Sequence, residues 1–464
     1  MRVKGLIMIR VEGFNKAKQL LNREAPFYSF APFPELKARI KRAFGGELPP
    51  KTVAERIIND VRDKGDEAIF AYTKKLDGVE LNSLEVNKEE ISAAYDMVDE
   101  ELVSALKLAA KRIRDFYLTC PYKVGIVAAN QFLQRQIQPL GKVGLYVPGG
   151  TATYPSTVLM TAIPAKVAGV EEIITVSPPT KDGKIPAPTL VAADIVQVNR
   201  FFKVGGAQAI AALAFGTESI PKVDKICGPG NIFVTLAKKM VYGVVGIDGL
   251  QGPSEIMSVA DEKVNPSLCA ADLLAQAEHD PLASVILITT SSELAEKVEE
   301  EVTAQLKKLK RHSIATEAIS KGMTVLVDNI DEAIDLVNLY APEHLPLMVS
   351  DASSLIPKIH NAGCIFVGEN SPVVLGDYLA GPSHVLPTGG SARFSSPLGV
   401  EDFLKVSNIV ALDKSTMREL SQAAIVIARA EGLDAHAQAV ALHVSYEPKS
   451  EQSQLFSSPS MGED

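Results

Sequence analysis

Asp377 and His384 stand in one polar segment, residues 377–390, and a carboxylate and an imidazole can both bind a metal or move a proton. The segment also contains three glycines and two prolines, which interrupt regular helices and strands. The sequence therefore predicts a loop at this place. Because binding and catalytic groups concentrate on loops, we expect a ligand to bind there.

A second candidate cluster lies in residues 270–281, where a helical pattern continues up to a proline. Gln276 and His279 stand three positions apart, which places them on one face of a helix. Zinc ions that do chemistry are commonly held by nitrogen and oxygen ligands, and Gln276, His279, Asp377 and His436 would make such a set. Taken singly, His279 could cap the helix C-terminus and His436 could be an ordinary helix residue.

The segment from Tyr340 to Pro346 places Glu343 and His344 between two prolines, which predicts a short, stiff loop. Taken singly, Glu343 could favour a helix N-terminus and His344 could be a surface residue. The functional interpretation is a pair of proton acceptors, because Glu and His are suited to that task.

The turn at residues 228–230, Gly-Pro-Gly, follows a strand-like run and precedes a helical pattern. Its backbone amides could face a phosphate at the helix start, but Phe233 replaces the third glycine of the dinucleotide fingerprint, so a tight turn is the alternative. Tyr146, at a strand end, could cover a base or ribose. Gln208, at a helix start, could cap the helix or contact a cofactor.

The elements that must position these residues follow an alternating pattern of short apolar runs and helical stretches. This pattern predicts an α/β fold with two Rossmann-like domains and mostly parallel sheets. Strand-like runs occupy residues 143–147, 172–176, 202–204 and 225–227, and then 285–289, 324–327, 347–349 and 364–367. Because parallel strands end at one edge of a sheet, we expect ligands beyond their carboxyl ends.

Composition excludes several classes of function. The chain has 464 residues, of which 46% are hydrophobic and 22% charged, so it can form more than one core. Its net charge of -9, without a basic stripe, argues against a nucleic-acid or membrane partner and favours a small molecule. No membrane span or secretory signal is evident, so we expect a cytoplasmic protein. The four cysteines lie far apart and are expected to be reduced thiols.

Seven segments of the chain, taken together and in order, resemble the histidinol dehydrogenase family, and the likeness extends from about residue 45 to 445. No key position departs from the family pattern. The segments are residues 144–150, 228–231, 251–255, 276–280, 340–344, 377–390 and 431–436.

The resemblance implies an enzyme of histidine biosynthesis that oxidises L-histidinol to L-histidine through the aldehyde, with two NAD and one Zn²⁺ per subunit. It implies that His344 is the base of the first oxidation and Glu343 the base of the second. The implied zinc ligands are Gln276, His279, Asp377 and His436. The implied substrate contacts are Ser254, Gln276, His279, His344, Asp377, His384, Glu431 and His436, and the implied NAD contacts are Tyr146, Gln208 and Asn231.

The resemblance also implies a homodimer with shared active sites, in which Glu431 and His436 reach the partner's site. The expected organisation begins with an N-terminal arm (residues 1–45), followed by a discontinuous catalytic and metal domain (46–145 with 252–390) and an NAD-binding domain (146–251). A C-terminal helical segment (391–446) and a disordered tail (447–464) complete it.

Two other functions are compatible with the same residues. One is a related zinc and NAD dehydrogenase of another small alcohol, such as a sulfonated diol. His384 and Glu431 suit a cationic amine and an imidazole, and they favour histidinol. The other is a zinc-stabilised binding or scaffold protein without turnover, against which the pair of Glu343 and His344 argues.

Overall fold

The computed structural model of the chain describes residues 8–23, 34–119, 121, 124–128, 132–150 and 152–446. These residues fall into two compact units. The first lies within Met1–Tyr122 and Pro139–Leu404, and the second within Lys123–Gln138 and Lys405–Asp464. Three parts of the predicted organisation lie outside the described residues. They are Cys120, a portion of the predicted N-terminal arm, and the whole predicted tail, residues 447–464.

The strands, numbered along the chain, are β1 (Ile9–Glu12), β2 (Gly125–Ala128), β3 (Leu133–Pro139), β4 (Lys142–Tyr146), β5 (Glu172–Ser177), β6 (Arg200–Lys203), β7 (Lys225–Cys227), β8 (Gly246–Ile247), β9 (Glu255–Ala260), β10 (Ser284–Thr289), β11 (Met323–Leu326), β12 (His344–Met348), β13 (Cys364–Val367) and β14 (Leu404–Val410). The α-helices are α1 (Phe14–Leu21), α2 (Pro34–Phe44), α3 (Pro50–Lys64), α4 (Asp66–Tyr72), α5 (Lys88–Tyr95), α6 (Glu100–Leu118), α7 (Pro155–Ala168), α8 (Ala187–Ile195), α9 (Gly206–Phe215), α10 (Ile232–Val241), α11 (Pro266–Ala277), α12 (Ser292–Leu306), α13 (His312–Lys321), α14 (Ile330–Tyr340), α15 (Ala352–Leu355), α16 (Val373–Tyr378), α17 (Lys414–Ala430) and α18 (Asp434–Ser445).

The five-stranded sheet of the first unit has the order β6-β5-β4-β7-β8, and its strands pair in parallel. Successive strand residues face opposite sides, so Ile173 belongs to one apolar core and Ile174 to the other. Helices α3 and α6 pack in these two cores, although the sequence analysis grouped residues 46–145 with the other sheet. The domain boundaries themselves stay a prediction.

The six-stranded sheet has the order β1-β11-β10-β9-β12-β13 and is also parallel. Apart from β1, the two sheets share one chain order. The first strand along the chain is central, the next two lie on one side of it, and the last two lie on the other side. This is the Rossmann-like arrangement, and the predicted fold class is confirmed. Strand β1 lies within the predicted arm and pairs with β11, so that β1 forms one edge of this sheet.

The second unit combines a small sheet with two helices. Strands β2 and β3 pair in antiparallel fashion, and the sheet order is β14-β3-β2. Helices α17 and α18 pack on each other, which confirms the helices predicted between residues 415 and 444. In the part of the chain that the structure describes, no helix is both long and apolar enough to cross a membrane.

Candidate active site

Glu343 and His344 lie where α14 passes into β12, and both are buried. Between them and the helix, Ala341 adopts a left-handed conformation with φ 54°, which ends α14 and turns the chain into the strand. His344 is therefore the first residue of a strand, rather than part of the loop predicted around it. Its position on the scaffold is fixed by the pairing of His344 with Ile256 of β9 and with Cys364 of β13.

The backbone of Glu255, the first residue of β9, contacts both side chains of the candidate catalytic pair. Its N–H donates to Oε2 of Glu343 at 2.8 Å, and its carbonyl oxygen lies 2.9 Å from Nδ1 of His344. A carbonyl oxygen can only accept, so Nδ1 must carry a proton. In the neutral ring, Nε2 is then the atom able to take up a proton.

Nε2 of His344 is buried and has no hydrogen-bond partner among the described residues. The carboxylate Oδ1 of Asp377 lies 3.6 Å away, which is too far for a hydrogen bond. Burial lowers the pKa of His344, but the carboxylates of Glu343 and Asp377 outweigh it and hold that pKa well above its ordinary value. The raised pKa favours the charged ring, in which Nε2 carries a proton, so Nε2 can accept a ligand proton only from the neutral ring.

Asp377 lies in the short helix α16, so the loop predicted for residues 377–390 begins after it. His384 is on that loop, and its Nδ1 donates to the backbone carbonyl of Asp377 at 2.9 Å. Its Nε2 lies 3.3 Å from Oγ1 of Thr157. Burial lowers the pKa of His384 and favours the neutral ring. Burial raises the pKa of Asp377, but the imidazole of His344 outweighs it, and the pKa lies below its ordinary value.

Gln276 is buried in the last turn of α11, whereas His279 is exposed in the turn that follows. The prediction that both lie on one helical face is wrong, because the helix ends at Ala277 and the N–H of His279 donates to the carbonyl of Gln276. The charge of His279 makes a small further contribution to lowering the pKa of Asp377.

The remaining predicted ligands lie in two places. Ser254 is half-buried and immediately precedes β9. Glu431 caps the C-terminus of α17 and His436 lies in the first turn of α18, and both are exposed residues of the second unit. Within the described ranges, no group of three or more His, Cys, Asp or Glu side chains is close enough to hold a metal ion.

The predicted cofactor residues lie at the carboxyl edge of the five-stranded sheet. Tyr146 ends β4, is buried, and its hydroxyl accepts the N–H of Gly206 at the start of α9. Gln208 is buried in the same helix, and its Oε1 lacks a hydrogen-bond partner in the described structure. Asn231 caps α10, where its Oδ1 accepts the N–H groups of Phe233 and Val234.

The two halves of the candidate site thus use opposite edges of their sheets. The cofactor residues follow strands β4, β6 and β7, as predicted. Glu343, His344 and Glu255 stand at the amino ends of β12 and β9, and the carboxyl ends of α11 and α14 return to that same edge. The carboxyl-edge expectation came from the first series of strands, whereas the predicted catalytic pair stands at the opposite edge of the second sheet.

Two features of the site were missed by the sequence analysis. One is the role of the Glu255 backbone, because strand β9 was not predicted. The other is Arg23, which forms an ion pair with Glu255 at 2.7 Å and stacks on the ring of Tyr340. A signal for Glu255 existed, since it ends the segment 251–255 that carries part of the family resemblance.

Comparisons with known proteins identify the family to which the chain belongs. A model of the family "Histidinol dehydrogenase" matches residues 49–444. A relative named histidinol dehydrogenase from Dehalococcoides mccartyi (strain CBDB1) is 54% identical over 431 residues, which cover 93% of this chain and 98% of the relative. Another of that name from Deinococcus radiodurans is 48% identical over 425 residues, which cover 89% and 95%.

A solved structure gives the same result at the level of the fold. The crystal structure of histidinol dehydrogenase from Elizabethkingia anophelis matches with a TM-score of 0.86 and 34% sequence identity, and the match covers 95% of this chain and 99% of that chain. The predicted resemblance is confirmed by the family match, by these relatives and by this structure. The chain belongs to the histidinol dehydrogenase family, whose NAD-dependent members oxidise histidinol to histidine in two steps.

Proposed function

We propose that this chain oxidises L-histidinol to L-histidine with His344 and Glu343 as successive proton acceptors. The observation that carries the proposal is the state of His344: its Nδ1 proton is held by the carbonyl of Glu255, and its buried Nε2 has no partner among the described residues. A general base needs a lone pair in a fixed orientation, and the neutral ring of His344 would present one at Nε2, because its Nδ1 is held by the carbonyl of Glu255.

Bound NAD would supply the hydride acceptor in each of the two oxidations. In the first, Nε2 of the neutral His344 ring takes the hydroxyl proton as the carbinol carbon loses a hydride, which leaves the aldehyde. In the second, Glu343 takes a proton from a water molecule that adds to the aldehyde, and loss of a hydride from the resulting hydrate anion forms the acid. Because Oε2 of Glu343 is anchored by the N–H of Glu255, the carboxylate is oriented before it acts.

For the metal, we propose Gln276, His279 and Asp377 as ligands from the first unit, and His436 as the fourth. A bound Zn²⁺ would supply a Lewis acid that orients the substrate's imidazole and amine. The fit rests on donor chemistry: Asp377 is held as a carboxylate, Gln276 offers an amide oxygen, and His279 and His436 offer imidazole nitrogens. Ser254, His344, His384 and Glu431 complete the proposed substrate contacts.

For the cofactor, we propose that NAD binds at the carboxyl edge of the five-stranded sheet, at Tyr146, Gln208 and Asn231. The unpartnered Oε1 of buried Gln208 supports this placement, because a buried amide oxygen without a partner is unfavourable until a ligand donates to it. The N-terminus of α10 follows Asn231 directly, and the positive end of the helix dipole there favours a phosphate.

We further propose a cytoplasmic homodimer in which Glu431 and His436 complete the partner's site. The helical pair α17 and α18 leaves large apolar side chains exposed, and an apolar surface of this kind is a candidate for association. These side chains are Leu420, Val426, Ile427, Leu433 and Leu442.

One assay tests the proposal directly: NADH formed per histidinol, with and without a chelator. The zinc-loaded chain should yield two NADH per histidinol, and the chelated chain should lose activity while keeping its circular dichroism spectrum. His344→Asn should lower kcat by about 10²–10⁴ with the zinc content unchanged, because only the base is removed. His360→Asn, at an exposed histidine, is the matched control.

Three outcomes would contradict the proposal. Loss of zinc in His344→Asn would make His344 a metal ligand instead of a base. Unfolding on chelation would favour a zinc-stabilised scaffold. Turnover of a sulfonated diol without turnover of histidinol would assign the chain to the alternative substrate.

A further inference from the structure

Lys238 and Asp248 form an ion pair that is almost completely buried, with 1% and 3% of their side chains exposed. Lys238 lies on α10, and Asp248 directly follows the two-residue strand β8. Burying two charges is unfavourable unless their other hydrogen-bonding groups also find partners, and apolar residues of similar size are often no less stable. The groups that the pair binds therefore indicate what it does in this fold.

The three donors of the Lys238 ammonium have three acceptors. They are the carbonyl oxygen of Gly228 at 3.0 Å, Oδ1 of Asp248, and Oε1 of Gln251 at 2.9 Å. Asp248 in turn accepts the N–H of Gly228 through Oδ2 at 2.7 Å and the N–H of Gly249 through Oδ1 at 2.7 Å. The ion pair thus holds Gly228 by both its backbone carbonyl and its N–H.

Gly228 opens the turn 228–230, which passes closely over the end of β4. Its φ is +113°, and a Cβ built on it would overlap the carbonyl oxygen of Tyr146, so a glycine is required here. The turn leads directly to Asn231 and α10. It therefore lies between Tyr146 and Asn231, which are two of the three proposed NAD contacts.

Gln251 connects the same ammonium group to the catalytic side of the site. Its carbonyl oxygen accepts the hydroxyl of Thr235 on α10 at 2.8 Å, so it is attached to that helix at two points. Four residues later, Glu255 begins β9 and contacts Glu343 and His344 through its backbone. Lys238 is thus in contact with the turn at the cofactor edge and with the segment that leads to the catalytic pair.

We propose that Lys238 and Asp248 are positioning residues for hydride transfer. They fix the turn 228–230 against the segment 251–255, and so set the separation between the nicotinamide and the catalytic pair. They act through Gly228 and Gln251 and contact neither substrate nor cofactor. Because the turn is ordered before NAD binds, binding does not have to order it. The inference rests on the NAD site proposed above.

The test uses the zinc-loaded full-length chain with Lys238→Met and Asp248→Leu combined. The double variant removes both charges together, so no unpaired charge remains buried, and it removes both holds on Gly228. We expect the Kd and KM for NAD to rise about tenfold or more, with the KM for histidinol changed by less than about twofold. A general loss of structure would instead raise the KM for NAD and the KM for histidinol alike.

The matched control is Lys225→Met with Asp402→Asn. This pair is also largely buried, with 16% and 22% of the side chains exposed. Lys225 lies on β7, the strand that leads into the turn 228–230, but it bonds to Asp402 and not to the turn. The control variant should leave the Kd for NAD unchanged. If the first double variant does not fold, Asp248→Asn alone keeps an acceptor for Lys238 and loses the one for the N–H of Gly228. It should still weaken NAD binding.

Two negative results would have different meanings, one for the positioning role and one for the proposed cofactor site. If the wild-type chain binds NAD and either Lys238 and Asp248 variant that folds binds it equally well, the positioning role is overturned while the proposed function stands. If the wild-type chain does not bind NAD at all in a calorimetric titration, the proposed cofactor site fails, and the positioning role fails with it.

Discussion

The proton of His344 is placed by a neighbour's backbone instead of by another side chain. The carbonyl of Glu255 takes the Nδ1 proton, and the amide of the same residue holds Glu343. Backbone groups at the start of a paired strand move little, because β9 lies between two strands of the sheet. Both candidate bases are therefore oriented by one rigid residue, and small backbone shifts near it should affect catalysis strongly.

Gly363→Ala tests this dependence. A Cβ at Gly363 would lie 2.6 Å from the carbonyl oxygen of Glu343, so that backbone must move. We expect kcat to fall by about 10- to 100-fold, with the zinc content unchanged, in steady-state assays. Gly46→Ala is the control, because nothing lies within 4 Å of its Cβ position. Unchanged kcat in Gly363→Ala would mean that Glu343 tolerates displacement.

Gln208→Leu should produce opposite effects on stability and on binding. Oε1 of Gln208 is buried and lacks a partner in the described structure, so replacing the amide should stabilise the cofactor-free chain by about 1 kcal/mol. The same change should weaken NAD binding. Gln305→Leu is the control, since its amide donates to Ser267 and Glu301, and it should lower the stability.

Denaturant unfolding and NAD titration measure the two effects of Gln208→Leu separately. A loss of stability without NAD would show that the amide has a structural partner. Unchanged NAD affinity would remove Gln208 from the cofactor site.

At the level of elements, most strands of the two parallel sheets were predictable, whereas the buried strand β9 and the strands of the small sheet were not. Strands such as β5 and β10 are continuous apolar runs, and their positions were predicted within one or two residues. Strand β3 carries polar side chains and is only half-buried, and β14 is largely exposed, so their sequences lack that signal. The candidate site was predictable as a set of residue types, but its edge was not, because no local pattern marks Glu343 and His344 as the start of a strand.

The ion pair of Glu85 and Arg200 joins the segment before α5 to β6. It makes the stability of the folded chain depend on pH. Arg200 donates two hydrogen bonds to the carboxylate, at 2.8 and 2.7 Å, and these bonds hold the pKa of Glu85 below its ordinary value. The stabilisation is therefore present above the unfolded pKa of Glu and is lost as the pH falls through the lower, folded value. Both side chains are about a third exposed, so solvent limits the effect to less than about 1 kcal/mol.

Melting curves of Glu85→Gln test this sign. The variant should melt up to about 2 °C below the wild type at pH 7, and the difference should vanish in acid. Glu80→Gln removes the exposed pair with Lys74 and should change little at either pH. A difference for Glu85→Gln that grows in acid would contradict the assignment.

At the level of the whole molecule, the proposed ligand set is divided between two compact units. Gln276, His279 and Asp377 belong to the first, whereas Glu431 and His436 belong to the second. Family resemblance predicted this division of roles, which no local pattern in the sequence carries. The proposed homodimer makes it testable, because a two-fold dimer with exchanged ligands has a property that two self-contained sites lack.

Mixing two inactive variants tests whether the site is shared. His344→Asn and His436→Asn should each be inactive as homodimers. If His436 acts on the partner's site, each mixed dimer contains one site with both defects and one intact site. Random mixing makes about half of the dimers mixed, so about a quarter of the wild-type activity should return. If both residues serve the same site within one chain, every site keeps one defect and no activity returns. The control pairs His344→Asn with Asp377→Asn, whose side chains lie 3.6 Å apart in one chain, and this mixture should stay inactive.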